Sequence, residues 1–456
     1  MSAWGLPASI SFPPPVFAHG IGGRQDLPVP LGVSVLAAVV VLVVSFVALA
    51  ALWKSPRWQH PSPAAVFGTG VAAVLRRVLA VLGVAGLGLV VVAGVLGVDN
   101  SSANPASVLV FVGFWLVVPF VGALLIDVYR WLDPWRRLAG WFGIDREVPG
   151  AVERLGYLPA TAAFLAFTWL ELVSPASGPR AVGIAAAVYT AYLLGMAWWV
   201  GPDAASQTAD AFAVYNRMLG GIAPYRVEGD GIVRQGWLRG LIQIPERRGM
   251  DLFVIAMIGT VTYDGASATP WWRESLANPL VTLLGDWGLA VSPATALVGT
   301  VLWAITIGLV YAAYLGAAGA AARLVGGDAT TRKVALRFAH TLVPIAFAYA
   351  FAHYFTLVLF EGQLLISTMS DPFDLGWNLF GSADRSIDYG LIAESTAWVW
   401  YTQVAAIVLG HVGGVVLAHD RALADFPPHR AVASQYVMLA LMVALTGLGL
   451  VILAAG

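Results

Sequence analysis

The sequence predicts an all-α, polytopic integral membrane protein with about ten transmembrane helices and both termini outside the cytoplasm. Three observations lead to this class. The 456 residues are 59% hydrophobic and 11% charged, whereas a soluble domain is typically about 25% charged. Apolar runs of membrane-spanning length recur along the whole chain, and the basic residues concentrate in alternate loops.

The apolar runs account for the number of helices. A helix needs roughly 20 apolar residues to cross a bilayer. Such runs lie at about residues 30–53, 75–98, 108–126, 157–173, 181–200, 251–272, 294–318, 338–361, 395–418 and 432–455. The sixth run contains Asp264, Gly265 and Pro270, so we expect a broken or re-entrant helix there.

The distribution of basic residues predicts the orientation. Cytoplasmic loops of membrane proteins carry an excess of Lys and Arg. If the N-terminus is outside, the inner loops hold 21 of the 25 Lys and Arg, and only Arg24, Arg180, Arg273 and Arg385 lie outside. A wrong number of spans would divide the Lys and Arg residues less unevenly between the two sides, so the charges favour ten spans with both termini outside.

The remaining segments are a tail and a few loops around a single transmembrane domain, residues 30–456. Residues 1–29 form the predicted extracytoplasmic tail. A secretory signal needs a basic segment and an apolar core before its cleavage site, and the stretch before Ala18 has neither, so we expect the tail and its His19 to be retained. The predicted loops are an inner interfacial helix at about 127–156, where Trp and Phe lie among arginines, an inner loop at 201–250, and outer loops at about 273–293 and 362–394.

Composition also excludes several function classes. The net charge is −1 and the basic residues are dispersed, so nothing indicates a nucleic-acid partner; the lipid bilayer is the expected surrounding. The chain has no Cys, which excludes disulfides, thiolate metal sites, iron–sulfur clusters and cysteine nucleophiles. A divalent metal ion would need His, Asp, Glu, Tyr or Met ligands.

Three ionisable residues in the apolar runs are candidates for a site. Counted from the cytoplasmic ends of their helices, Glu171 and Asp264 lie about 21 Å deep and His353 about 24 Å deep. Ionisable groups at such depth are costly and are functional candidates by default. Together they could hold a divalent metal ion or form an acid–base site. Glu361, as a further catalytic group, and His19, as a further metal ligand, could reach the same outer mouth.

An ordinary structural role is the alternative for these residues. Glu171 can extend to the outer interface, Asp264 can cap a broken helix, and His353 can bond a neighbouring helix. The sequence leaves both interpretations open.

A second group of histidines lies in the inner half of the predicted bundle: His340, His411 and His419. Two histidines on neighbouring helices at similar depth could ligate a haem. The alternative for His419 is a water-facing position at the membrane boundary, since charged residues follow it directly. The glycines around His411 favour close approach of a neighbouring helix.

Three segments carry a resemblance to a known family. They are AHGIGGRQDLPVPL at 18–31, AHYFTLVLFEGQ at 352–363 and GHVGGVVLAHDRAL at 410–423. The chain resembles the polytopic membrane proteins named after fenitrothion hydrolase. This resemblance implies a multi-pass plasma-membrane protein associated with hydrolysis of an organophosphate triester, together with a second membrane subunit. It implies no catalytic residues.

Three functional hypotheses follow. The first is a membrane-embedded hydrolase of lipophilic organophosphate-type esters with a metal-assisted site in the outer leaflet. The second is a transporter or permease for a metal ion or small solute, in which the same buried groups bind the ion or relay protons. The third is a haem- or copper-binding redox subunit that uses His340, His411 and His419.

Overall fold

The computed structural model describes residues 28–58, 66–229, 231–390 and 396–455, and most of them are helical. In chain order the helices are α1 (Leu31–Leu52), α2 (Thr69–Leu96), α3 (Pro105–Val108), α4 (Val118–Leu124), α5 (Tyr129–Leu132), α6 (Pro134–Trp141), α7 (Ala151–Leu155), α8 (Leu158–Leu172), α9 (Pro179–Val200), α10 (Pro202–Thr208), α11 (Ala211–Gly220), α12 (Met250–Ser267), α13 (Pro270–Trp272), α14 (Asn278–Asp286), α15 (Val291–Val325), α16 (Thr331–Phe338), α17 (Val343–Thr368), α18 (Thr396–Asp425) and α19 (Pro428–Ala455). Two π-helical segments, Leu109–Val117 and Arg273–Ala277, and two 3₁₀ turns, Leu241–Gln243 and Ala339–Leu342, complete the helical content.

The long helices make the chain a multi-pass membrane protein. Within the described ranges, eight helical stretches are long and apolar enough to cross a bilayer, and a bent pair makes a ninth if it counts as one span. The helix at the fourth predicted span, α8, has only 15 residues, which is short for a bilayer. The all-helical membrane class is therefore confirmed, and the number ten stays a prediction.

The bent pair is the sixth predicted span, and its break is confirmed. Helix α12 ends at Ser267, and the chain turns by 81° before continuing from Pro270 to Asp286. The Thr269 hydroxyl accepts a hydrogen bond from the Trp272 backbone N–H, and Pro270 occupies the first turn of the new helix, which is the position where a proline costs no hydrogen bond. Asp264 and Gly265 stay inside α12, so the break itself lies at Pro270.

Five segments that the sequence assigns to the cytoplasmic side contact one another at one end of the bundle. In the described part of the chain they lie around residues 53–58 with 66–67, 127–157, 201–229 with 231–250, 331–337 and 419–430. The joining contacts are Trp53 Nε1 to Asp420 Oδ1 (3.1 Å), Arg130 to the Val227 carbonyl (3.2 Å), the Tyr157 N–H to the Arg248 carbonyl (2.8 Å), Arg337 Nε to Asp425 Oδ2 (2.7 Å) and Arg337 to Glu246 (3.0 Å).

A small antiparallel sheet at this end departs from the all-α prediction. Its strands are β1 (Val66–Phe67), β2 (Tyr225–Glu228) and β3 (Gly231–Arg234), in the order β1–β3–β2. Val66 pairs with Val233, so the loop after α1 is tied to the large inner loop. Strands this short give no apolar run that could be recognised in the sequence.

Residues 127–156 form three short helices, α5 to α7, rather than the single interfacial helix predicted. Trp131 and Trp135 are buried, whereas Trp141 and Phe142 are exposed. Trp135 Nε1 donates a hydrogen bond to Thr190 Oγ1 of α9 at 2.9 Å. With Tyr129, three of the five aromatic residues in this segment therefore belong to the core of the bundle.

Glycines allow the closest helix contacts. A Cβ at Gly410 of α18 would lie 2.3 Å from Ala348 Cβ and 2.6 Å from the Pro344 carbonyl oxygen, both on the 343–368 helix. The same holds where α2 crosses α9, because a Cβ at Gly94 would lie 2.6 Å from the Pro179 carbonyl oxygen and 2.8 Å from Gly183 Cα. Small residues at such crossings are the usual means of helix packing in membranes.

Replacing Gly94 with alanine should destabilise the bundle. The new methyl group would push α2 away from α9, and overpacking of this kind typically costs about 1–3 kcal/mol. Gly88→Ala on the same helix is the matched control, because a Cβ at Gly88 would meet nothing within 4 Å. Thermal unfolding of both variants in detergent should give a lower midpoint for Gly94→Ala only. Equal midpoints would contradict the close crossing.

Candidate acid–base site in the membrane

Helices α12 and α17 bring Asp264 and His353 into direct contact. His353 Nε2 lies 2.9 Å from Asp264 Oδ2, and the Tyr354 hydroxyl donates a hydrogen bond to the same oxygen at 2.7 Å. Asp264 is buried, with 6% of its surface exposed. An ionised carboxylate only accepts hydrogen bonds, so His353 Nε2 carries the hydrogen when Asp264 is charged.

Asp264 and His353 are 89 residues apart in the chain, and similar depth was the only sequence signal that linked them. Sequence reasoning missed Tyr354. A helical projection puts it about 100° away from His353, but its longer side chain still reaches the same carboxylate. The available signal was that a buried tyrosine hydroxyl usually finds a hydrogen-bond partner.

Glu171, the third member of the predicted group, does not join this hydrogen bond. It lies near the end of α8, close enough for its charge to interact with Asp264. Its Oε2 is buried and has no hydrogen-bond partner among the described residues. No three His, Asp or Glu side chains in the described ranges are placed to hold a metal ion together.

The histidine of this pair lies on the wall of a cleft between four helices. The cleft has about 390 Å³ of empty space including its open mouth, and it is lined by Val261, Thr262, Tyr349, Ala352, His353, Ile407, Leu448, Gly449, Ile452 and Leu453. A Cβ at Gly265 would lie 2.5 Å from Ile452 Cγ2 and 3.6 Å from His353 Nδ1. The glycine therefore lets α19 approach beside the imidazole. Most of the lining is apolar, and His353 provides the basic group.

The other predicted members of the outer group are Glu361 and His19. Glu361 is half-buried on α17, two turns beyond His353, and no hydrogen bond or ion pair described in the structure joins it to Asp264 or His353. His19 lies outside the described residues.

His419, one of the inner histidines, has a hydrogen-bond partner at each ring nitrogen. His419 is 1% exposed, so the expected water-facing position is wrong. Its Nδ1 lies 3.1 Å from Gln435 Oε1 and its Nε2 lies 3.0 Å from the Trp53 carbonyl oxygen. Both ring nitrogens are therefore used in joining α18 to α19 and to the end of α1, and neither is left for a haem iron.

His340 lies in the 3₁₀ turn before α17. This turn packs against α18 close to His411, because a Cβ at Gly414 would lie 2.9 Å from the Thr341 carbonyl oxygen. Nε2 of His340 and Nε2 of His411 are both buried without a hydrogen-bond partner among the described residues. A shared ligand of these two histidines stays a prediction.

A second buried polar cluster, which the sequence did not indicate, joins Asp210, between α10 and α11, to Tyr189 of α9 and to Tyr129 of α5. The Asp210 carboxylate accepts hydrogen bonds from the hydroxyls of Tyr129 (2.8 Å) and Tyr189 (2.9 Å). It also caps α11 through the N–H groups of Phe212 and Ala213. Burial, and then the nearby Asp133 charge, raise the pKa of Asp210 to about 7. An aspartate directly before a helix is the sequence signal that could have found this cap.

Comparisons with known proteins do not assign this chain to a family. No protein-family model, curated protein or solved structure matches this chain.

The raised pKa of Asp210 should make stability depend on pH. An aspartate in the unfolded chain has a pKa near 4, so the folded protein holds a proton that the unfolded chain releases. This contribution to stability is fully present below about pH 4 and is lost as pH rises through about 7. The midpoint temperature of unfolding should therefore decrease as the pH is raised from 5 to 8. Asp210→Asn should make this decrease smaller.

The control for this measurement is Asp203→Asn, which changes an exposed carboxylate that pairs with Arg136. It should keep the pH dependence of the wild-type protein. An unchanged pH dependence in Asp210→Asn would show that another group causes it.

Proposed function

We propose that the protein is a membrane-embedded hydrolase of lipophilic organophosphate-type esters, with Asp264 and His353 as its acid–base pair. The observation that carries the proposal is the hydrogen bond between these two side chains at the wall of an apolar cleft inside the helix bundle. A histidine oriented by a carboxylate is the usual arrangement for general-base catalysis.

The proposed reaction is balanced by one water molecule. His353 accepts a proton from the water while the water oxygen forms a bond to phosphorus and the bond from phosphorus to the phenolic oxygen breaks. The His353 imidazolium then gives this proton to the phenolate, and the diester product ionises at neutral pH. Asp264 stabilises the imidazolium that forms, and the Tyr354 hydroxyl helps to fix the carboxylate in place.

The cleft suits such a substrate. Its lining is largely aliphatic and includes Leu448, which is exposed at its rim, Ile452 and Leu453. A lipophilic ester that partitions into the bilayer would therefore meet the site without passing through water. The resemblance to the fenitrothion hydrolase proteins supports the same substrate class and also implies a second membrane subunit.

Among the residues that the structure describes, the site offers an acid–base pair. Asp264 and His353 are two possible ligands there, whereas catalytic zinc sites normally have three protein ligands, and the predicted ligand His19 lies outside the described residues. The proposed reaction therefore does not pass through a metal ion. The divalent metal ion and the haem stay predictions, and elemental analysis with an optical spectrum of the purified protein tests both.

A second candidate function is proton-coupled transport, and the bend after Asp264 favours it. Broken helices often line the substrate and ion sites of transporters, and the 81° break follows Asp264 by only a few residues. In this case Asp264 and His353 would carry the coupling proton. Proteoliposomes with an imposed pH gradient would accumulate unchanged substrate for a transporter, whereas a hydrolase would convert the substrate and show no such accumulation.

We further propose ten passes in the plasma membrane, with both termini on the outer side. Two features support this. The basic segments lie together at one end of the bundle, as described above. Helix α8 runs from Tyr157, which contacts Arg248 at that end, to Leu172 and Val173, which pack on Val281 and Ala294 beyond the turn after α12. It thus joins opposite ends despite its length.

Labelling of single introduced cysteines should report this orientation, because the chain has no cysteine of its own that could be labelled. Both Ser102 and Glu147 are exposed. A membrane-impermeant maleimide should label Ser102→Cys in intact cells and should label Glu147→Cys only after permeabilisation. The opposite pattern would invert the proposed topology.

Replacing His353 should abolish most of the hydrolysis. Loss of a general base typically lowers turnover by about 10²–10⁴-fold, so His353→Gln should reduce kcat by that order. Asp264→Asn should have a smaller effect on kcat because the base remains. The assay is nitrophenolate release from a nitrophenyl organophosphate triester in native membranes, which retain any second subunit.

The control is His340→Gln, a change of another buried histidine away from the cleft, which should leave turnover near that of the wild type. If His353→Gln hydrolyses the triester as fast as the wild type, the proposed role of the pair is wrong.

A further inference from the structure

His411 on α18 is a buried imidazole that the proposed reaction does not use. It has no exposed surface. Its Nδ1 lies 2.8 Å from the Ile407 carbonyl oxygen. A carbonyl oxygen only accepts hydrogen bonds, so Nδ1 carries the hydrogen. Nε2 of the neutral ring is then a bare acceptor, and it has no partner in the described part of the chain.

An unpaired acceptor in the interior is unfavourable, and native structures usually pair such atoms with protein or water. His411 is completely buried in a membrane protein, where no bulk water surrounds the helix. A water molecule or a proton at Nε2 would remove this cost.

The cleft of the acid–base site reaches the neighbours of His411. Tyr349 and Ile407, which contact His411, both line this cleft. The Tyr349 ring meets the imidazole edge to face, with 5.6 Å between the ring centroids. Tyr349 is also four residues before His353, so both side chains lie on the same side of α17.

Packing holds Tyr349 in this position. Its hydroxyl donates a hydrogen bond to the Leu445 carbonyl of α19. A Cβ at Gly449 would lie 2.4 Å from Tyr349 Cε1 and 3.0 Å from its hydroxyl oxygen, so the ring fits only beside a glycine. The hydroxyl still has a free acceptor site for a water molecule in the cleft.

We propose that water in the cleft extends to His411 and that His411 Nε2 is a second proton acceptor of the site, linked to His353 through the Tyr349 hydroxyl. The proposal rests on the proposed function for its chemical purpose. Hydrolysis of a triester at neutral pH releases one proton when the diester product ionises, and His353 has already returned its own proton to the phenolate. His411 takes the released proton, so this proton does not return to His353 before the next water molecule arrives.

Hydrogen–deuterium exchange at histidine Cε1, measured by mass spectrometry, tests the hydration of His411 without any substrate. Exchange at this carbon needs a ring protonated on both nitrogens and attack by hydroxide. We expect His411 to exchange several-fold faster than His340, which is also buried and also has an Nε2 without a hydrogen-bond partner in the described residues. Tyr349→Phe, which removes only the hydroxyl, should slow the exchange at His411.

Kinetics of His411→Asn then test the role in turnover. An Asn amide at this position can keep the bond to the Ile407 carbonyl while it removes the Nε2 acceptor. It should lower kcat by roughly tenfold with KM unchanged, less than the loss expected from removing the general base itself. The matched control His340→Asn should change neither constant.

The two measurements separate the possible failures. If His411 exchanges as slowly as His340 in the wild type, the hydration of His411 is refuted, whatever the enzyme does. If it exchanges fast but no variant of His353 affects hydrolysis, the proposed function fails while the hydrated imidazole stands. If exchange is fast and His411→Asn turns over like the wild type, the role of His411 as proton acceptor is refuted.

Discussion

An ionisable side chain inside a bilayer is costly unless another group compensates it, and this constraint governs the part of the bundle around Asp264. Asp264 would be unfavourable on α12 alone. It is stabilised because α17 supplies two donors to one carboxylate oxygen, the imidazole of His353 and the hydroxyl of Tyr354. The same pairing leaves the other side of the imidazole toward an apolar cleft, so the contact that compensates the charge also creates an acid–base group.

Close packing makes that contact possible. Helices must approach within a few ångströms for short side chains to meet, and glycines at the crossings remove the obstacle. Gly265 lets α19 pass beside His353, Gly449 accommodates the Tyr349 ring, and Gly410 seats α18 on α17. A cleft bounded by such crossings is mainly apolar.

The inner end of the bundle follows a different rule, because its charged groups pair with one another. Arg337 and Arg421 both contact Glu246 and Asp425, so the large inner loop is fastened to α16 and α18. His419 and Asp420 fasten the segment after α1 in a similar way. These groups pair with one another, whereas the pair of His353 and Asp264 lies at the wall of a cavity. That difference, rather than depth in the membrane, separates the candidate site from the ordinary polar contacts.

The sequence by itself determined the membrane class, the positions of the long helices, the break near Pro270 and the common depth of Asp264 and His353. These follow from local physics, since hydrophobic length and charge asymmetry act on each segment separately. Only the tertiary structure decided which side chains touch. It brought Asp264 and His353 together, left Glu171 outside their hydrogen bond, added Tyr354 and buried His419, which the charged residues beside it had suggested was exposed. Such contacts depend on the rotation and crossing of helices far apart in the chain, and apolar surfaces facing lipid place few constraints on either.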